Sequence, residues 1–397
     1  MKVAFLTAGG IAPCLSSSLG HFIKKYYEKD SSIELIAYKN GYKGLLLGDS
    51  IVLENEVKKN AEKLYGFGGS PIGNSRVKLT NIKDCVKKGY IDEGCTPLEV
   101  AAKQLIKDKI NVLHTIGGDD TNTTAADLVS YLSKNNYNLT VVGLPKTIDN
   151  DVFPITQTLG ASTAAEQSAL FFKNVVNENT TSSRQFIIHE VMGRNCGWLT
   201  ASAANVYRES LEESRFLPEI LVCKKRWDVH AVFIPEMEIN IEKEIIRLRK
   251  IMDENDCVNI FLSEGAGLDS IISDMEKNGE KVSRDAFGHV RLDEINPGNW
   301  FAKKFANRIG AEKVLVQKSG YFARSAASNK EDLDLIFKSV EFAIESAMNN
   351  QSGVVGLDED LGGEISCINF NRIKGGKPFN SNQKWFVDLL KEIGQIN

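Results

Sequence analysis

The chain has 397 residues, enough for two domains, and its 42% hydrophobic and 25% charged residues are ordinary values for a globular protein. Its formal net charge of −4 gives no general attraction for nucleic acid or anionic membranes, so any phosphate recognition must be local. Since no apolar run approaches the ~20 residues of a transmembrane helix, the sequence predicts no membrane span.

The seven cysteines are odd in number and scattered along the chain, with no CxxC pair. This pattern is typical of a reducing cytoplasm and disfavours both a disulfide scaffold and a zinc ribbon. The first residues, MKVAFLTAGG, contain too short an apolar run for a signal peptide and are predicted to form the first strand. We therefore expect a cytoplasmic protein.

Short apolar segments alternate with longer amphipathic ones, a pattern that predicts βα units around a mostly parallel sheet. After the first strand, KNGYKGLLLGDS and YGFGGSPIGNSRVKLTN are predicted to be long functional loops. The stretch TPLEVAAKQLIKDKI is predicted to be a helix, with Thr96 as its N-cap, Pro97 in its first turn and Glu99 completing a capping box. Further strands are predicted, in chain order, at NVLHTIGG, LTVVGLPK, RQFIIHEVMG, HAVFIPE, VNIFLSEG and KVLVQKSGY.

The unusual residues follow these strands, at the edge where open α/β sheets bind their ligands. The first such loop is TAGGIAPCLSSSL, where a strand ends at Gly9 and Gly10 and serines follow that could cap a helix. Backbone N–H groups at a helix start favour an anion. A tight βα turn with no ligand explains this segment equally well.

The stretch TIGGDDTNTTAADL places two glycines and two adjacent carboxylates at the start of a predicted helix. Gly118 allows close approach of the backbone. Asp119 is suited to Mg²⁺, which prefers oxygen ligands and commonly bridges a carboxylate to substrate phosphates. Capping of the helix by Asp119 or Asp120 is the alternative interpretation.

The next strand runs into GLPKTIDNDVF, which brings Lys146, Thr147, Asp149 and Asp151 within six residues. Alternating acids after an apolar strand suggest a division of labour, in which one carboxylate removes a proton and the other contacts metal or polar groups. An ordinary aspartate is ionised at neutral pH and can therefore act as a base. Lys146 supplies the cation that an anionic substrate requires. A surface turn of solvated charges is the alternative.

Later loops offer further polar side chains. In EVMGRNCGWLTASAA, Gly193 ends a strand and Arg194 offers a planar fork suited to a phosphate, although an ion pair with Glu190 is an equal alternative. The other candidates, each also compatible with an ordinary surface salt bridge, are Glu264 for sugar hydroxyls, Tyr321 and Arg324 for a second phosphate, and Arg76 for an anion.

The motifs GGDDT, PKTIDND, VMGR, SEG and GYFARS span most of the chain. Together they resemble the phosphofructokinases, and most closely the pyrophosphate-dependent branch of that family. The resemblance implies an α/β fold of two interleaved Rossmann-like domains with mostly parallel sheets and the active site between them. It implies a pyrophosphate and magnesium domain in residues 1–160, rejoined near 323–370, and a sugar-phosphate domain in 161–322 with the C-terminal segment 371–397.

The resemblance also implies a reaction, the reversible transfer of a phosphoryl group from pyrophosphate to the C1 hydroxyl of fructose 6-phosphate. Asp149 is implied to be the base that takes the C1 proton, and Asp119 the carboxylate associated with Mg²⁺. The other implied residues are Lys146, Thr147 and Asp151 in catalysis, Gly10, Arg76, Gly118, Asp120 and Lys146 at the donor, and Thr147, Met192, Gly193, Arg194, Glu264, Tyr321 and Arg324 at the sugar phosphate, the last two at its 6-phosphate.

Members that use ATP resemble this pattern with glycine at the positions of Asp120 and Lys146. A carboxylate at Asp120 would lie toward the α-phosphate of ATP, and two unit charges about 4 Å apart repel by roughly 4 kcal/mol at an effective dielectric of about 20. Lys146 adds attraction for a compact, highly charged donor. The doubled aspartate therefore has two predicted roles: Asp119 holds the metal and Asp120 excludes nucleotide.

The chain departs from the family at one place. In many members an Arg from a neighbouring subunit lies shortly before the MGR motif, where this chain has Gln185 beside Arg184. The resemblance implies that this chain forms a homo-oligomer, a dimer or a tetramer. An ATP-dependent 6-phosphofructokinase is the first alternative. A non-catalytic sugar-phosphate sensor is the second, although such a protein could have lost the acids that this chain retains. A dinucleotide-binding oxidoreductase is disfavoured, since no GxGxxG opens a βαβ unit.

Overall fold

The computed structural model describes residues 1–280, 282–283 and 295–396. The chain forms two compact α/β units, and each unit is built from two separate segments of the chain. The first unit comprises Met1–Ala164 and Arg324–Lys377, and the second comprises Ala165–Ala323 and Pro378–Asn397. Both units contain a sheet made mostly or wholly of parallel strands, which confirms the predicted fold class.

The strands are β1 (Lys2–Thr7), β2 (Glu34–Tyr38), β3 (Ser50–Val52), β4 (Val112–Gly117), β5 (Thr140–Pro145), β6 (Gln185–Val191), β7 (Ala231–Phe233), β8 (Cys257–Ser263), β9 (Lys313–Lys318), β10 (Gly353–Asp358) and β11 (Glu364–Ile368). The sheet of the first unit has the order β11-β10-β5-β4-β1-β2-β3, with antiparallel pairing only at its two edge strands. The sheet of the second unit has the order β7-β8-β6-β9 and is parallel throughout.

Helices connect and cover these strands. The α-helices are Leu15–Lys29, Tyr42–Leu47, Asn55–Lys59, Ile82–Lys87, Pro97–Lys107, Asp119–Lys134, Ala161–Val175, Trp198–Glu212, Lys224–Trp227, Ile241–Asn255, Leu268–Lys277, Pro297–Ile309, Gly320–Arg324, Lys330–Met348 and Lys384–Glu392. Short 3-10 turns lie at Ala61–Gly66, Val176–Thr180, Glu359–Leu361 and Phe370–Arg372. No helix in the described ranges combines the length and apolar character needed to cross a membrane.

Local sequence signals explain where several elements begin. The predicted helix after Thr96 is present, and the Thr96 hydroxyl accepts a hydrogen bond of 3.3 Å from the Glu99 amide, with Pro97 in the first turn. The prediction that KNGYKGLLLGDS is a loop is wrong, because this stretch carries the helix Tyr42–Leu47. Leu45 and Leu46 are buried in the core of the first unit, and this burial stabilises the short helix.

Each unit has its own hydrophobic core. In the first unit, side chains such as Leu6, Leu113, Leu128, Val141 and Val354 pack between the sheet and its helices. In the second unit, the core contains Phe186, Ile260, Leu262, Phe301 and Phe305. The inner strands β4, β5, β6 and β8 are buried along their whole length, and the candidate residues Asp119, Lys146, Arg194 and Glu264 lie just beyond their ends.

Candidate active site

Two neighbouring strands of the first unit end side by side. Strands β4 and β5 pair in parallel with Gly117 opposite Pro145, and the Lys146 amide donates a hydrogen bond of 2.8 Å to the Gly117 carbonyl. The loops that carry Asp119 and Lys146 therefore start next to each other. Gly118 is confined as well, since a Cβ there would lie 3.3 Å from the Lys146 carbonyl oxygen.

Three cationic side chains gather at the turn after β1, formed by Gly9 and Gly10. A Cβ at Gly10 would lie 3.1 Å from Nη1 of Arg324 and 3.6 Å from Nη2 of Arg76. A Cβ at Gly9, whose φ is 90°, would lie 3.1 Å from Nζ of Lys146. Larger residues would therefore crowd these charges, and the glycine pair leaves room for an anion between them.

Side chains hold the carbonyl groups of this turn one after another. The Gly9 carbonyl accepts a hydrogen bond of 2.6 Å from Nδ2 of Asn74, and the Gly10 carbonyl accepts one of 2.6 Å from Nζ of Lys146. The Ile11 carbonyl accepts a hydrogen bond of 3.0 Å from Nη1 of Arg324. Hydrogen bonds to the Gly10 and Ile11 carbonyls therefore hold the Lys146 and Arg324 side chains in place.

The position of Lys146 is electrostatically unfavourable for its own charge. The side chain is only 4% exposed, and burial lowers its pKa to about 8. Repulsion from Arg324 and Arg76 acts in the same direction as burial, whereas the Asp149 carboxylate opposes the shift of this pKa. A bound anion would favour the charged ammonium form of Lys146, and a lysine that binds phosphate must carry that charge.

The acids of the two loops also act on one another. Burial raises the pKa of the Asp119 carboxyl above its ordinary value, and the charges of Asp120 and Asp151 raise it further. Among the residues that the structure describes, no group of three or more His, Cys, Asp and Glu side chains could hold a metal ion. The Asp119 carboxylate, which lies near two other acids, suits a Mg²⁺ ion that takes one ligand from the protein and the rest from substrate phosphates and water.

The loop after β5 is held in one conformation by its own hydrogen bonds. The Asp149 amide donates to Oγ1 of Thr147 at 3.1 Å, and Oγ1 of Thr158 donates to the Thr147 carbonyl at 3.0 Å. Asn150, with a φ of 54°, accepts a hydrogen bond of 2.8 Å from the Thr158 amide. These bonds fix the backbone on both sides of Asp149.

Asp120 forms an ion pair that the sequence did not suggest. Its Oδ1 lies 2.7 Å from Nζ of Lys78, and the two side chains are 68% and 35% exposed respectively. Sequence reasoning also missed Asn74, which orients the Gly9 carbonyl. The available signal for both was their position beside Arg76 in the loop GNSRVKLT.

The second unit brings another set of predicted residues together at the ends of β6, β8 and β9. Val191 pairs with Ser263, and Glu190 pairs with Lys318. The segments that contain Met192 to Arg194, Glu264 and Tyr321 therefore follow adjacent strands.

Close backbone contacts position these segments. The Gly193 amide donates to Oε1 of Glu264 at 3.4 Å, and Oγ of Ser263 donates to the Gly193 carbonyl at 2.5 Å. A Cβ at Gly265 would lie only 1.8 Å from the Arg194 carbonyl oxygen, so this position requires glycine. The packing of the two loops therefore sets the position of the Arg194 backbone.

A cavity of about 550 Å³ opens beside these loops within the second unit, lined among others by Arg194, Gly265, Glu236 and Trp300. Glu190, the alternative partner considered for Arg194, lies 2.7 Å from Nζ of Lys318 and accepts a hydrogen bond of 2.9 Å from the Gly298 amide. Glu190 is thus engaged with the neighbouring strand β9 and the helix that precedes it.

Tyr321 and Arg324, both predicted at the sugar 6-phosphate, lie in the same short helix Gly320–Arg324. Tyr321 is 71% exposed, and the Arg324 guanidinium lies at the Gly10 turn. The guanidinium of Arg184 donates to the Gly310 carbonyl and pairs with Asp253 at 2.7 Å, so it is engaged within its own unit.

Comparisons with known proteins agree with these motifs. The chain matches the family model described as Phosphofructokinase over residues 2–333. It is 60% identical over 394 residues to the pyrophosphate–fructose 6-phosphate 1-phosphotransferase of Methylotuvimicrobium alcaliphilum, covering 99% of this chain and 96% of that protein. It is 55% identical over 394 residues to the protein of that name from Propionibacterium freudenreichii, covering 99% and 98% of the two chains.

Among solved structures, the fold is similar to that of a pyrophosphate-dependent phosphofructokinase from Marinobacter aquaeolei, with a TM-score of 0.73. That similarity covers 99% of this chain and 91% of the other at 18% identity, and therefore concerns the fold alone. Since the family model spans most of the sequence and close relatives match it from end to end, this chain belongs to the phosphofructokinase family.

Proposed function

We propose that this protein catalyses the reversible transfer of a phosphoryl group from pyrophosphate to the C1 hydroxyl of fructose 6-phosphate, giving fructose 1,6-bisphosphate and phosphate. One observation carries the proposal: three cationic side chains converge on the Gly9–Gly10 turn, beside the loops that carry Asp119 and Asp149. A small, highly charged donor fits such a site. The names of relatives that are 54–60% identical support the same reaction.

In the proposed mechanism, Asp149 accepts the proton of the C1 hydroxyl as the oxygen attacks the transferred phosphorus atom. The hydrogen bond between the Asp149 amide and Thr147 holds the base in position before substrate binds. Since phosphoryl transfer needs little covalent chemistry from the protein, positioning and charge neutralisation supply most of the rate enhancement. Asp151 contributes a polar contact beside the base.

Lys146, Arg76 and Arg324 bind the pyrophosphate oxygens in this proposal, and the backbone at Gly10 and Gly118 lies against them. Lys146 carries the most buried of the three charges. The donor therefore loses water as it binds, which strengthens each charge-assisted hydrogen bond. The departing phosphate remains neutralised by the same side chains.

Asp119 would hold Mg²⁺. When bound there, the ion would neutralise charge on the donor phosphates and orient them for in-line transfer. The carboxylates of Asp120 and Asp151, which raise the pKa of Asp119, make the position unfavourable for an additional negative charge and favourable for a cation.

The sugar phosphate is assigned to the residues of the second unit. Arg194 offers two parallel N–H donors to a phosphate, and Glu264 accepts hydrogen bonds from sugar hydroxyls. Met192 and Gly193 shape the backbone between them, and Tyr321 contacts the 6-phosphate. Arg324 is proposed here as a donor-phosphate residue because its guanidinium lies at the Gly10 turn.

Asp120 gives the donor preference. Its carboxylate repels a nucleotide α-phosphate, while Lys146 favours a compact anion. The decisive experiment is a coupled assay of the purified enzyme with pyrophosphate or ATP, each with and without Mg²⁺. We expect turnover with pyrophosphate that depends on Mg²⁺, and little with ATP. Faster turnover with ATP would establish the alternative ATP-dependent enzyme, and binding without turnover would establish a sugar-phosphate sensor.

We also infer a cytoplasmic homo-oligomer, a dimer or a tetramer, whose first unit binds the donor and whose second unit binds the sugar phosphate. The presence of all seven cysteines as thiols supports a reducing compartment. Sedimentation of the purified protein at assay concentration tests the oligomer, since a monomeric active enzyme would contradict it.

A further inference from the structure

The proposed role of Asp120 raises an electrostatic difficulty. A carboxylate that repels the α-phosphate of ATP also repels pyrophosphate, which carries more charge in a smaller volume. Asp120 lies next to Asp119 at the start of the helix Asp119–Lys134, so the first turn already carries two negative charges. The donor site therefore needs a cation that offsets Asp120 without occupying the pyrophosphate position.

Lys78 is placed to offset this charge. Its Nζ lies 2.7 Å from Oδ1 of Asp120. Its neighbours Val77 and Leu79 are 7% and 1% exposed, so the backbone on both sides of Lys78 is anchored in the core of the first unit. The backbone that carries Lys78 is therefore held in place, and only the side chain has to extend to Asp120.

The segment that carries Lys78 also carries Arg76, so it places two basic side chains near the proposed donor site. Arg76 lies two residues before Lys78 and directs its guanidinium toward Gly10, 3.6 Å from the position of a Cβ there. Val77 and Leu79 are buried whereas Arg76 and Lys78 are not, and this alternation indicates that the two basic side chains lie on the same side of the segment. Arg76 and Lys78 can therefore serve adjacent parts of the donor region, one at the anion turn and one at Asp120.

We propose that Lys78 is a positioning residue for donor specificity, which holds the Asp120 carboxylate and offsets its charge so that Asp120 excludes nucleotide without excluding pyrophosphate. The inference rests on the proposed function. An exposed ion pair of this kind adds little to the free energy of unfolding, so its effect is expected on substrate selection rather than on stability.

A double-mutant cycle tests the proposal with three variants, Lys78→Met, Asp120→Asn and the combination. We expect Lys78→Met to raise KM for pyrophosphate about threefold to tenfold, with kcat changed by less than about twofold, because the exposed charge of Asp120 then repels the donor. In the Asp120→Asn background the same lysine substitution should change KM little, since no carboxylate remains to be offset.

Other outcomes would overturn the proposal. An equal rise in KM in both backgrounds would mean that Lys78 binds pyrophosphate directly, and no rise in either would mean that it has no role in donor binding. Lys39→Met is the matched control, because Lys39 forms a similar exposed ion pair of 2.6 Å with Asp49. Thermal unfolding of every variant checks that the fold is retained.

The cycle also separates this inference from the proposed function. If the unmodified enzyme shows no turnover with pyrophosphate, the proposed function fails. If it turns over pyrophosphate and the two substitutions act additively, only the role of Lys78 fails. In Lys78→Met, kcat/KM for pyrophosphate should fall because the exposed carboxylate repels the donor. In Asp120→Asn, kcat/KM for ATP should rise because that repulsion is removed.

Discussion

The strand ends of the two units are built with different chemistry. In the first unit, Lys146, Arg76 and Arg324 surround a glycine turn, and a row of aspartates follows the neighbouring strands. Among the described residues of the second unit, Arg194 and Glu264 follow strands whose connecting loops are positioned largely by backbone contacts. A compact anion with several charges needs many counter-charges, whereas a sugar is recognised by few charges and by shape.

Two buried histidines, one in each unit, differ in how well their ring nitrogens are hydrogen-bonded. His114 on β4 is bonded at both ring nitrogens: Nδ1 donates to the Val142 carbonyl at 3.2 Å, and Nε2 accepts from the Tyr26 hydroxyl at 2.7 Å. This tautomer follows because a carbonyl can only accept. Within the described chain, neither ring nitrogen of His189 on β6 has a hydrogen-bond partner. The first unit satisfies its buried polar groups more fully at this position.

The largest expected effect is at the proposed base. Replacement Asp149→Ala should lower kcat by about 10²-fold to 10⁴-fold, the usual contribution of general base catalysis. Binding of fructose 6-phosphate should stay within about threefold, because that substrate is assigned to the other unit. Steady-state kinetics and calorimetric titration measure the two quantities. Near-normal turnover would remove Asp149 as the base.

The division of labour between the units is tested by a pair of charge removals. Lys146→Met should raise KM for pyrophosphate about tenfold to a hundredfold, the equivalent of one charge-assisted hydrogen bond, and leave KM for fructose 6-phosphate nearly unchanged. Arg194→Met should do the reverse. If both variants raised the same KM, the assignment of one substrate to each unit would be wrong.

The pH dependence of donor binding should reflect Lys146. Because burial lowers its pKa to about 8, the ammonium form prevails below that pH and is lost as the pH rises through it. We expect KM for pyrophosphate to rise by up to about tenfold per pH unit above about 8. Lys146→Arg keeps its charge at these pH values and serves as the control for titration of pyrophosphate itself. An unchanged slope in that variant would contradict the assignment.

The smallest effect concerns the two histidines. His114→Phe leaves the buried Tyr26 hydroxyl without its partner and should lower the free energy of unfolding by about 1–3 kcal/mol. His189→Phe removes two nitrogens that lack hydrogen bonds and keeps the packing against Phe172 and Phe261, so its free energy of unfolding should stay within about 1 kcal/mol of the parent. Thermal unfolding compares the two, and equal losses would contradict the distinction.

The same two histidines should make the free energy of unfolding depend on pH in acid. Burial lowers the pKa of both His114 and His189 to about 3, below the ordinary value of 6.5. Each ring is neutral when folded and takes up a proton on unfolding once the pH falls below about 6.5, so stability is constant above that pH and decreases as the pH falls toward 3. Unfolding curves at pH 5 and pH 7 should therefore differ less in either phenylalanine variant than in the parent.

Much of the architecture could be predicted from apolar segments that stop at glycine or proline. All seven predicted strands are present, within about three residues at each end. Strands β2, β3, β10 and β11 were not predicted. Strand β10 contains Gly353 and Gly356, β3 is exposed along its length and β11 is mostly half-buried, so these three segments lack a continuous apolar pattern. Strand β2 has a short apolar run, and its place in the sheet depends on pairing with β1, which is distant in sequence.

The candidate site shows a similar limit. The acids and Lys146 could be predicted because they follow strands directly, and parallel pairing of β4 with β5 brings them together. The ion pair of Lys78 with Asp120 joins a loop to the first turn of a helix that is distant in sequence, and its one signal was the position of Lys78 near Arg76. The place of Arg324 at the Gly10 turn depends on how the chain re-enters the first unit, which no short motif encodes.

The three successive carbonyls at Gly9, Gly10 and Ile11 have a consequence for affinity. They act as stand-in acceptors that keep Asn74, Lys146 and Arg324 ordered before any ligand arrives. An arriving anion then exchanges one set of oxygen atoms for another around side chains that are already immobile. The entropy of ordering these groups is lost during folding rather than during association, so a very small ligand does not have to offset that cost when it binds.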